Sequence, residues 1–205
     1  MSQRVSGYPR KEDEDYKTIG WPIAALLSHV RMPIVRAWDP CDRNKTRGTN
    51  HGQLVATLRA CGVVAVGTAQ DFLTVWTPPP DTSHIICNPP YGARKRGEEA
   101  VAFIEHALEL RVPHIAMLLR VDFDSAIGRQ DLFRNNPSFV GKVVLLGRIK
   151  WFEGPSSPSD NHSWFLWDCE HAGPPSIRYA SKREAEKSLI IARRAAWHAS
   201  RLALT

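Results

Sequence analysis

The stretch His84-Ile85-Ile86-Cys87-Asn88-Pro89-Pro90-Tyr91-Gly92 decides how the rest of the chain is arranged. Residues 84–87 are largely apolar and predict a short buried strand. Two prolines then end the strand, because proline has no N–H to donate to a sheet ladder and a fixed φ. Each proline also holds the residue before it in an extended conformation. The sequence therefore predicts a stiff loop at the carboxyl end of a strand, which is where ligands bind in open α/β sheets.

This loop carries two hydrogen-bond acceptors and one aromatic ring. The Asn88 side chain has an amide oxygen, and the Pro89 carbonyl cannot pair with the next residue because Pro90 has no N–H. Two such acceptors can take both hydrogens of a substrate –NH2 group and direct its lone pair towards an electrophile. Tyr91 adds a flat face on which a planar base can stack. An ordinary turn is the alternative, because Asn-Pro and Pro-Pro are common turn dipeptides.

The motif Asn88-Pro89-Pro90-Tyr91 resembles the signature loop of S-adenosylmethionine-dependent amino-methyltransferases, especially those that act on adenine in DNA. From about Tyr16 to Tyr179 the chain is similar to small phage or prophage-type enzymes of this kind. The resemblance implies an α/β fold with a Rossmann-like class I methyltransferase sheet, mostly parallel with one antiparallel strand near the C-terminus. It also implies that Asn88 and the Pro89 carbonyl hold the target amine, that Pro90 stiffens the loop, and that Tyr91 stacks on the extruded base.

The resemblance further implies a site for S-adenosylmethionine as cofactor. A segment with Tyr, Thr and Trp before the first strand would cover the methionine end, which assigns Thr18 and Trp21. A packed N-terminal helix with Pro22 in its first turn explains the same residues. Asp71 would accept from the adenine amine of the cofactor, with Phe72 beside it, and a turn-capping Asp is the alternative.

The loop after the first strand would hold the middle of the cofactor. A strand predicted over 33–38 leads into Asp39-Pro40, where the family has an acidic residue followed by a glycine-rich loop. Here charged residues follow instead, so the glycine at which the backbone would approach the cofactor closely is Gly48 or Gly52. The second strand, predicted over 62–67, ends without the carboxylate that would bind the ribose hydroxyls. These two departures favour the alternative of a catalytically impaired relative that binds nucleic acid without turnover.

The remaining elements are predicted from the spacing of apolar residues. Helices are expected over 54–60, 98–110 and 125–133. Strands are expected over 114–119, 143–146, 149–152 and 163–167, the later ones forming the edge of the sheet that contains the antiparallel strand.

Charge points to a polyanionic partner. The chain carries a formal net charge of +6 and has a sequence pI near 9.4, which suits nucleic acid, and DNA in particular given the resemblance. The basic turn Arg94-Lys95-Arg96 directly follows the central loop and is positioned to contact phosphates near an extruded base. A solvated charged loop is the alternative for this turn.

Composition also sets the expected domain organisation. We expect a flexible arm over 1–15, one methyltransferase-like domain over 16–180, and a basic helical segment over 181–205. No run of about 18 apolar residues exists, so no membrane span is expected, and the N-terminus does not resemble a secretory signal. The four cysteines form no C-x-x-C pair, so we expect no metal site and a reduced, cytoplasmic setting. A monomer is expected.

The sequence therefore predicts methyl transfer from S-adenosylmethionine to an exocyclic amine of a nucleic-acid base, adenine in DNA first. The same loop also fits methylation of an RNA base or of a protein glutamine. A generic α/β domain, in which Asn88-Pro89-Pro90-Tyr91 is only a turn, is the remaining alternative.

Overall fold

The computed structural model describes residues 20–30, 33–42, 52–68, 70–91, 97–151 and 160–202. Four helices and seven strands occur in these ranges. The helices are α1 (Gly20–Leu27), α2 (Gln53–Ala60), α3 (Glu98–Glu109) and α4 (Lys182–Leu202). The strands are β1 (Ala37–Asp39), β2 (Ala65–Gly67), β3 (His84–Cys87), β4 (His114–Arg120), β5 (Phe139–Leu146), β6 (His162–Asp168) and β7 (Ser176–Ser181).

All seven strands form one sheet in the order β2-β1-β3-β4-β6-β5-β7. Strands β2, β1, β3 and β4 pair in parallel, β6 pairs antiparallel with both β4 and β5, and β7 pairs in parallel with β5. Among the described strands, β6 is thus the one that runs against the others. The predicted fold, a mostly parallel Rossmann-like sheet with one antiparallel strand near the C-terminus, is confirmed.

The sheet separates two apolar cores, one on each face. Strand β3 contributes to both, because Ile86 packs in the core formed with α1, α2 and α4, while Ile85 packs in the core formed with α3. Both side chains are fully buried, as expected for a central parallel strand covered on both faces. The Trp164 indole N–H of β6 donates to the Pro22 carbonyl at 2.7 Å and ties α1 to the sheet.

The first strand is shorter than predicted. The sequence indicated 33–38, but pairing begins only at Ala37. Val35 and Arg36 donate their backbone N–H groups to the Ser83 hydroxyl at 3.0 and 3.3 Å, so these N–H groups are satisfied outside a ladder. A side chain from the segment before β3 therefore replaces the strand partner that the apolar pattern suggested.

Two predicted elements near the C-terminal half are wrong. The predicted helix over 125–133 is instead a pair of 3-10 turns, Phe123–Ser125 and Ile127–Arg129, and the Ser125 hydroxyl donates to the Asp122 carbonyl at 2.7 Å. Such a local bond offers the backbone an alternative to helix. The strand predicted over 149–152 does not form at 149–151, because the chain leaves the sheet at Gly147, where φ is +148°.

No helix in the described ranges is both long enough and apolar enough to cross a bilayer.

Candidate active site

The carboxyl ends of β1, β2, β3 and β4 meet at one edge of the sheet. The Cα atoms of Asp39 and Gly67 are partners at the ends of β1 and β2. The Cα of Cys87, at the end of β3, is the partner of Met117 in the middle of β4, so β4 extends three residues further to Arg120. Asn88 follows Cys87 directly. The loop after β3 and the acidic residue after β1 therefore occupy the same edge, which is where open α/β sheets bind ligands.

The loop after β3 is attached to the end of β4 through its tyrosine. Asn88 and Pro90 are half-buried and Pro89 is buried. The Tyr91 hydroxyl accepts the backbone N–H of Arg120 at 2.6 Å, and burial raises the pKa of the Tyr91 phenol. The loop is therefore anchored at both ends. Asn88 continues directly from β3, and Tyr91 is hydrogen-bonded to the neighbouring strand β4.

A cation-aromatic stack lies beside Tyr91. The Phe123 ring meets the Tyr91 ring edge to face, with 6.1 Å between centroids. The Arg129 guanidinium lies 3.7 Å from the centroid of Phe123 and donates to its carbonyl at 2.8 Å. Sequence reasoning did not find this stack, because Arg129 lies in the stretch predicted as a helix over 125–133 and Phe123 precedes that stretch.

Arg120 and Asp122 form a side-chain pair at the end of β4. Two hydrogen bonds, 3.0 and 3.2 Å long, join the guanidinium to the carboxylate. Both side chains are about half exposed, so the pair adds little stability. It places one positive and one negative group beside the loop.

Asp39 is a buried carboxyl at the end of β1. Its side chain is 5% exposed and accepts the Cys41 backbone N–H at 3.0 Å. Burial raises its pKa to about 8, against a smaller lowering by that hydrogen bond, and the nearby Asp42 carboxylate raises it further. A carboxyl with this pKa is largely protonated at pH 7 and ionises readily when a cation arrives.

Asp42 is the second buried acid at this edge and was not singled out by sequence reasoning. It is 5% exposed, and its Oδ1 accepts the backbone N–H of Gly52 at 2.5 Å. The carboxylate also lies against Gly67 at the end of β2, since a Cβ added there would come within 2.5 Å of the Asp42 Cγ. No local pattern reveals this contact, which depends on how the loop after β1 folds back onto β2.

The other described residues assigned to the cofactor occupy different surroundings. Trp21 belongs to α1 and is 3% exposed, and its indole N–H is buried with no hydrogen-bond partner among the described residues. Asp71 caps a 3-10 turn by accepting the Leu73 N–H at 3.2 Å. Phe72 is 1% exposed and packs on Trp38, with ring centroids 5.5 Å apart.

Several predicted residues lie outside the described ranges. These are Thr18, the glycine at position 48, and the basic turn Arg94, Lys95 and Arg96. Their assignments remain predictions. Pro40 and Gly52 are described, and Gly52 is the N-cap of α2. Within the described residues, no group of three or more His, Cys, Asp or Glu side chains is arranged to hold a metal ion.

Comparison with known proteins defines the fold family. No protein-family model matches the chain, and no curated protein matches it. A solved structure from Listeria monocytogenes, named as a candidate class I S-adenosylmethionine-dependent methyltransferase, is similar with a TM-score of 0.53 and 13% identity, over 83% of this chain and 67% of that one. A chain from a type I restriction-modification system is similar with a TM-score of 0.50 and 11% identity, over 84% of this chain and 46% of that one. The fold is that of class I methyltransferases.

The buried Asp39 carboxyl should make stability depend on pH. Its folded pKa of about 8 lies above the ordinary 3.8, so the folded chain binds more protons than the unfolded chain between these values. Stability is lost as pH rises through this window, by at most about 1.4 kcal/mol per pH unit. Asp39→Asn, which keeps the acceptor for Cys41, should remove this slope and be more stable than the parent at pH 8.

Urea unfolding at pH 5, 6, 7 and 8 measures this difference. The exposed Asp81→Asn is the control and should follow the parent at every pH. Parallel slopes for the parent and Asp39→Asn would show that Asp39 is ionised in the folded protein at neutral pH.

Proposed function

We propose that this protein transfers a methyl group from S-adenosylmethionine to an exocyclic amine of a nucleic-acid base, with adenine in DNA as the substrate. One observation carries the proposal. The loop Asn88-Pro89-Pro90-Tyr91 follows a central parallel strand of a methyltransferase fold, at the edge where the buried acid Asp39 also lies. The bond from the Arg120 N–H to the Tyr91 hydroxyl supports the proposal, because it fixes the position of this loop beside the end of β4.

The loop residues supply geometry for the reaction. The Asn88 amide oxygen and the Pro89 carbonyl accept the two hydrogens of the target amine and direct its lone pair away from the ring. When bound, S-adenosylmethionine supplies an electrophilic methyl group on a sulfonium. With the amine held by Asn88 and Pro89, its nitrogen would form the bond to the methyl carbon, the S–C bond electrons would remain with sulfur, and the amine would lose one proton to water. Tyr91 stacks on the base that carries the amine.

The residues present fit the cofactor. Asp39 offers a buried carboxyl that a cation would ionise, and its position after β1 suits the positively charged methionine end. The Trp21 indole N–H, which lacks a partner among the described residues, would gain one in the methionine carboxylate. The Asp71 Oδ1 accepts the capping bond from the Leu73 N–H, and its second oxygen, Oδ2, would accept from the adenine amine of the cofactor. Thr18, Pro40, Gly52 and Phe72 complete the proposed cofactor site.

Charge and similarity support nucleic acid as the substrate. The net charge of +6 favours a polyanion over a protein substrate. The structural similarity to a chain from a type I restriction-modification system is consistent with nucleic acid as the class of partner. Arg94, Lys95 and Arg96 would contact phosphates beside the extruded base.

Methyl incorporation tests the proposal. The protein should transfer label from methyl-labelled S-adenosylmethionine to unmethylated DNA. Digestion of the product to nucleosides should yield labelled N6-methyl-2′-deoxyadenosine. Parallel reactions with RNA and with protein extract identify the other acceptors that the loop fits. Label in neither DNA nor RNA contradicts the proposed substrate class.

A second candidate is a relative that binds DNA without turnover. It is favoured by the charged residues that replace glycines after Asp39 and by the lack of an acid at the end of β2. Calorimetry separates the two. The enzyme should bind both S-adenosylmethionine and DNA, whereas the non-catalytic relative should bind DNA alone.

A further inference from the structure

The end of β2 offers no carboxylate of its own. In dinucleotide-binding folds an acid at this place hydrogen-bonds the ribose hydroxyls. Here the strand ends at Gly67, which has no side chain, and Thr68 follows. The Thr68 hydroxyl accepts the Trp38 indole N–H at 3.1 Å, and this bond holds the Thr68 side chain towards the buried Trp38. The position that should bind a ribose therefore lacks an acid from the strand that normally provides it.

A carboxylate from another segment occupies this place. The Asp42 side chain comes from the loop after β1 and lies against the Cα of Gly67, so closely that any Cβ on that residue would overlap it. Asp42 is 5% exposed, so its side chain is held against the fold at this edge. The carboxylate thus stands where a side chain of residue 67 would begin.

Two glycines make this placement possible. A Cβ at Gly52 would lie 3.0 Å from the Asp42 Cγ and would collide with its Oδ1, and a Cβ at Gly67 would collide with its Oδ2. The Gly52 N–H, at the start of α2, donates to Oδ1 and orients the group. The helix N-terminus also stabilises negative charge on this carboxylate. The three residues form one unit, in which each glycine makes room for the acid.

We propose that Asp42 is the residue that reads the ribose of the cofactor, replacing the acid that the end of β2 lacks. The inference rests on the proposed use of S-adenosylmethionine. A carboxylate has about four acceptor sites on its two oxygens, so it can accept a backbone N–H and two hydroxyls together. Bonds from hydroxyls to an ionised group are the strong kind that sets specificity. The acid that the end of β2 lacks is then supplied by the loop after β1.

The test compares two ligands that differ only in one hydroxyl. Calorimetry measures binding of S-adenosylhomocysteine and of its 2′-deoxyribose analogue. The parent should prefer the ribose form by about 10-fold or more, the value of a hydrogen bond to a charged group. Asp42→Asn should lose affinity for the ribose form and retain a preference of no more than about 3-fold. A preference is a ratio within one variant, so partial unfolding of that variant does not change it.

A swap variant makes the test sharper. Asp42→Gly combined with Gly67→Asp returns the acid to the end of β2, and the ribose preference should recover relative to Asp42→Gly alone. Thr68→Val is the matched control and should keep the preference of the parent, because its hydroxyl is engaged by Trp38.

The outcomes separate the two proposals. A parent that prefers ribose together with an Asp42→Asn variant that keeps the full preference overturns the role of Asp42 and leaves the cofactor proposal intact. A parent that binds the ribose and deoxyribose ligands equally also overturns the role of Asp42 and leaves the cofactor proposal intact. A parent that binds neither ligand overturns the proposed function and the role of Asp42 with it.

Discussion

Asn88→Ala is expected to lower kcat for methyl transfer by at least about 100-fold, because the target amine loses one of the two acceptors that fix its geometry. Affinity for S-adenosylmethionine should change by less than about 3-fold, since Asn88 follows β3 whereas the acids assigned to the cofactor lie at the end of β1 and after β2. Stability should change little, because the Asn88 side chain is only half-buried. The expected result is thus a loss of turnover in a folded protein that still binds its cofactor.

Single-turnover methylation of DNA, paired with calorimetry of cofactor binding, measures both quantities. Asn135→Ala is the matched control, because that amide lies on the surface and donates to the Asp131 carboxylate at 2.7 Å. Full activity in Asn88→Ala would exclude the proposed role of this side chain. Equal loss in both variants would point to a general effect of removing an asparagine.

Gly141→Ala is expected to lower the free energy of unfolding by roughly 3 kcal/mol or more. The residue has φ of +126°, which strains any L side chain, at a cost of about 1–3 kcal/mol. A Cβ there would also lie 2.6 Å from the backbone N of Ser176 and 2.8 Å from its carbonyl carbon, so β5 and β7 would have to separate. Forced overlap of this kind adds a further cost of about 1–3 kcal/mol.

Gly173→Ala separates the two effects. This glycine has nearly the same φ, +128°, but nothing within 4 Å of the added carbon. It should therefore show the strain alone, and Gly128→Ala, which has neither a positive φ nor a close neighbour, should show neither effect. Urea unfolding of the three variants gives the comparison. Equal losses at 141 and 173 would mean that β7 does not pack on β5 as closely as described.

The central part of the fold was readable from local pattern. Strand β3 was predicted over its observed range, and α3 and β4 nearly so, because continuous apolar runs and helical spacing are local signals. Strand β7 was missed, since Ile177 and Tyr179 are exposed and the strand lies at the sheet edge, where no buried run marks it. The 3-10 turns after β4 were missed because side-chain bonds to the backbone compete with helix there.

The candidate site was only partly readable. The loop after β3 carries its chemistry in consecutive residues, so the sequence revealed it. The contact between Asp42, Gly52 and Gly67 joins three separate segments, and only the folded chain brings them together. The raised pKa of Asp39 likewise follows from burial and from the Asp42 charge, which the sequence around Asp39 does not report.

The place of β6 has a consequence for synthesis on the ribosome. Strand β4 has β3 on one side and β6 on the other, and β5 is joined to β4 only through β6. Until residues 162–168 leave the exit tunnel, a nascent chain can therefore assemble β2, β1, β3 and β4 but must leave one side of β4 bare. Such an edge invites pairing with another chain. The interval between translation of β4 and translation of β6 is thus when the unpaired side of β4 is open to pairing with another chain.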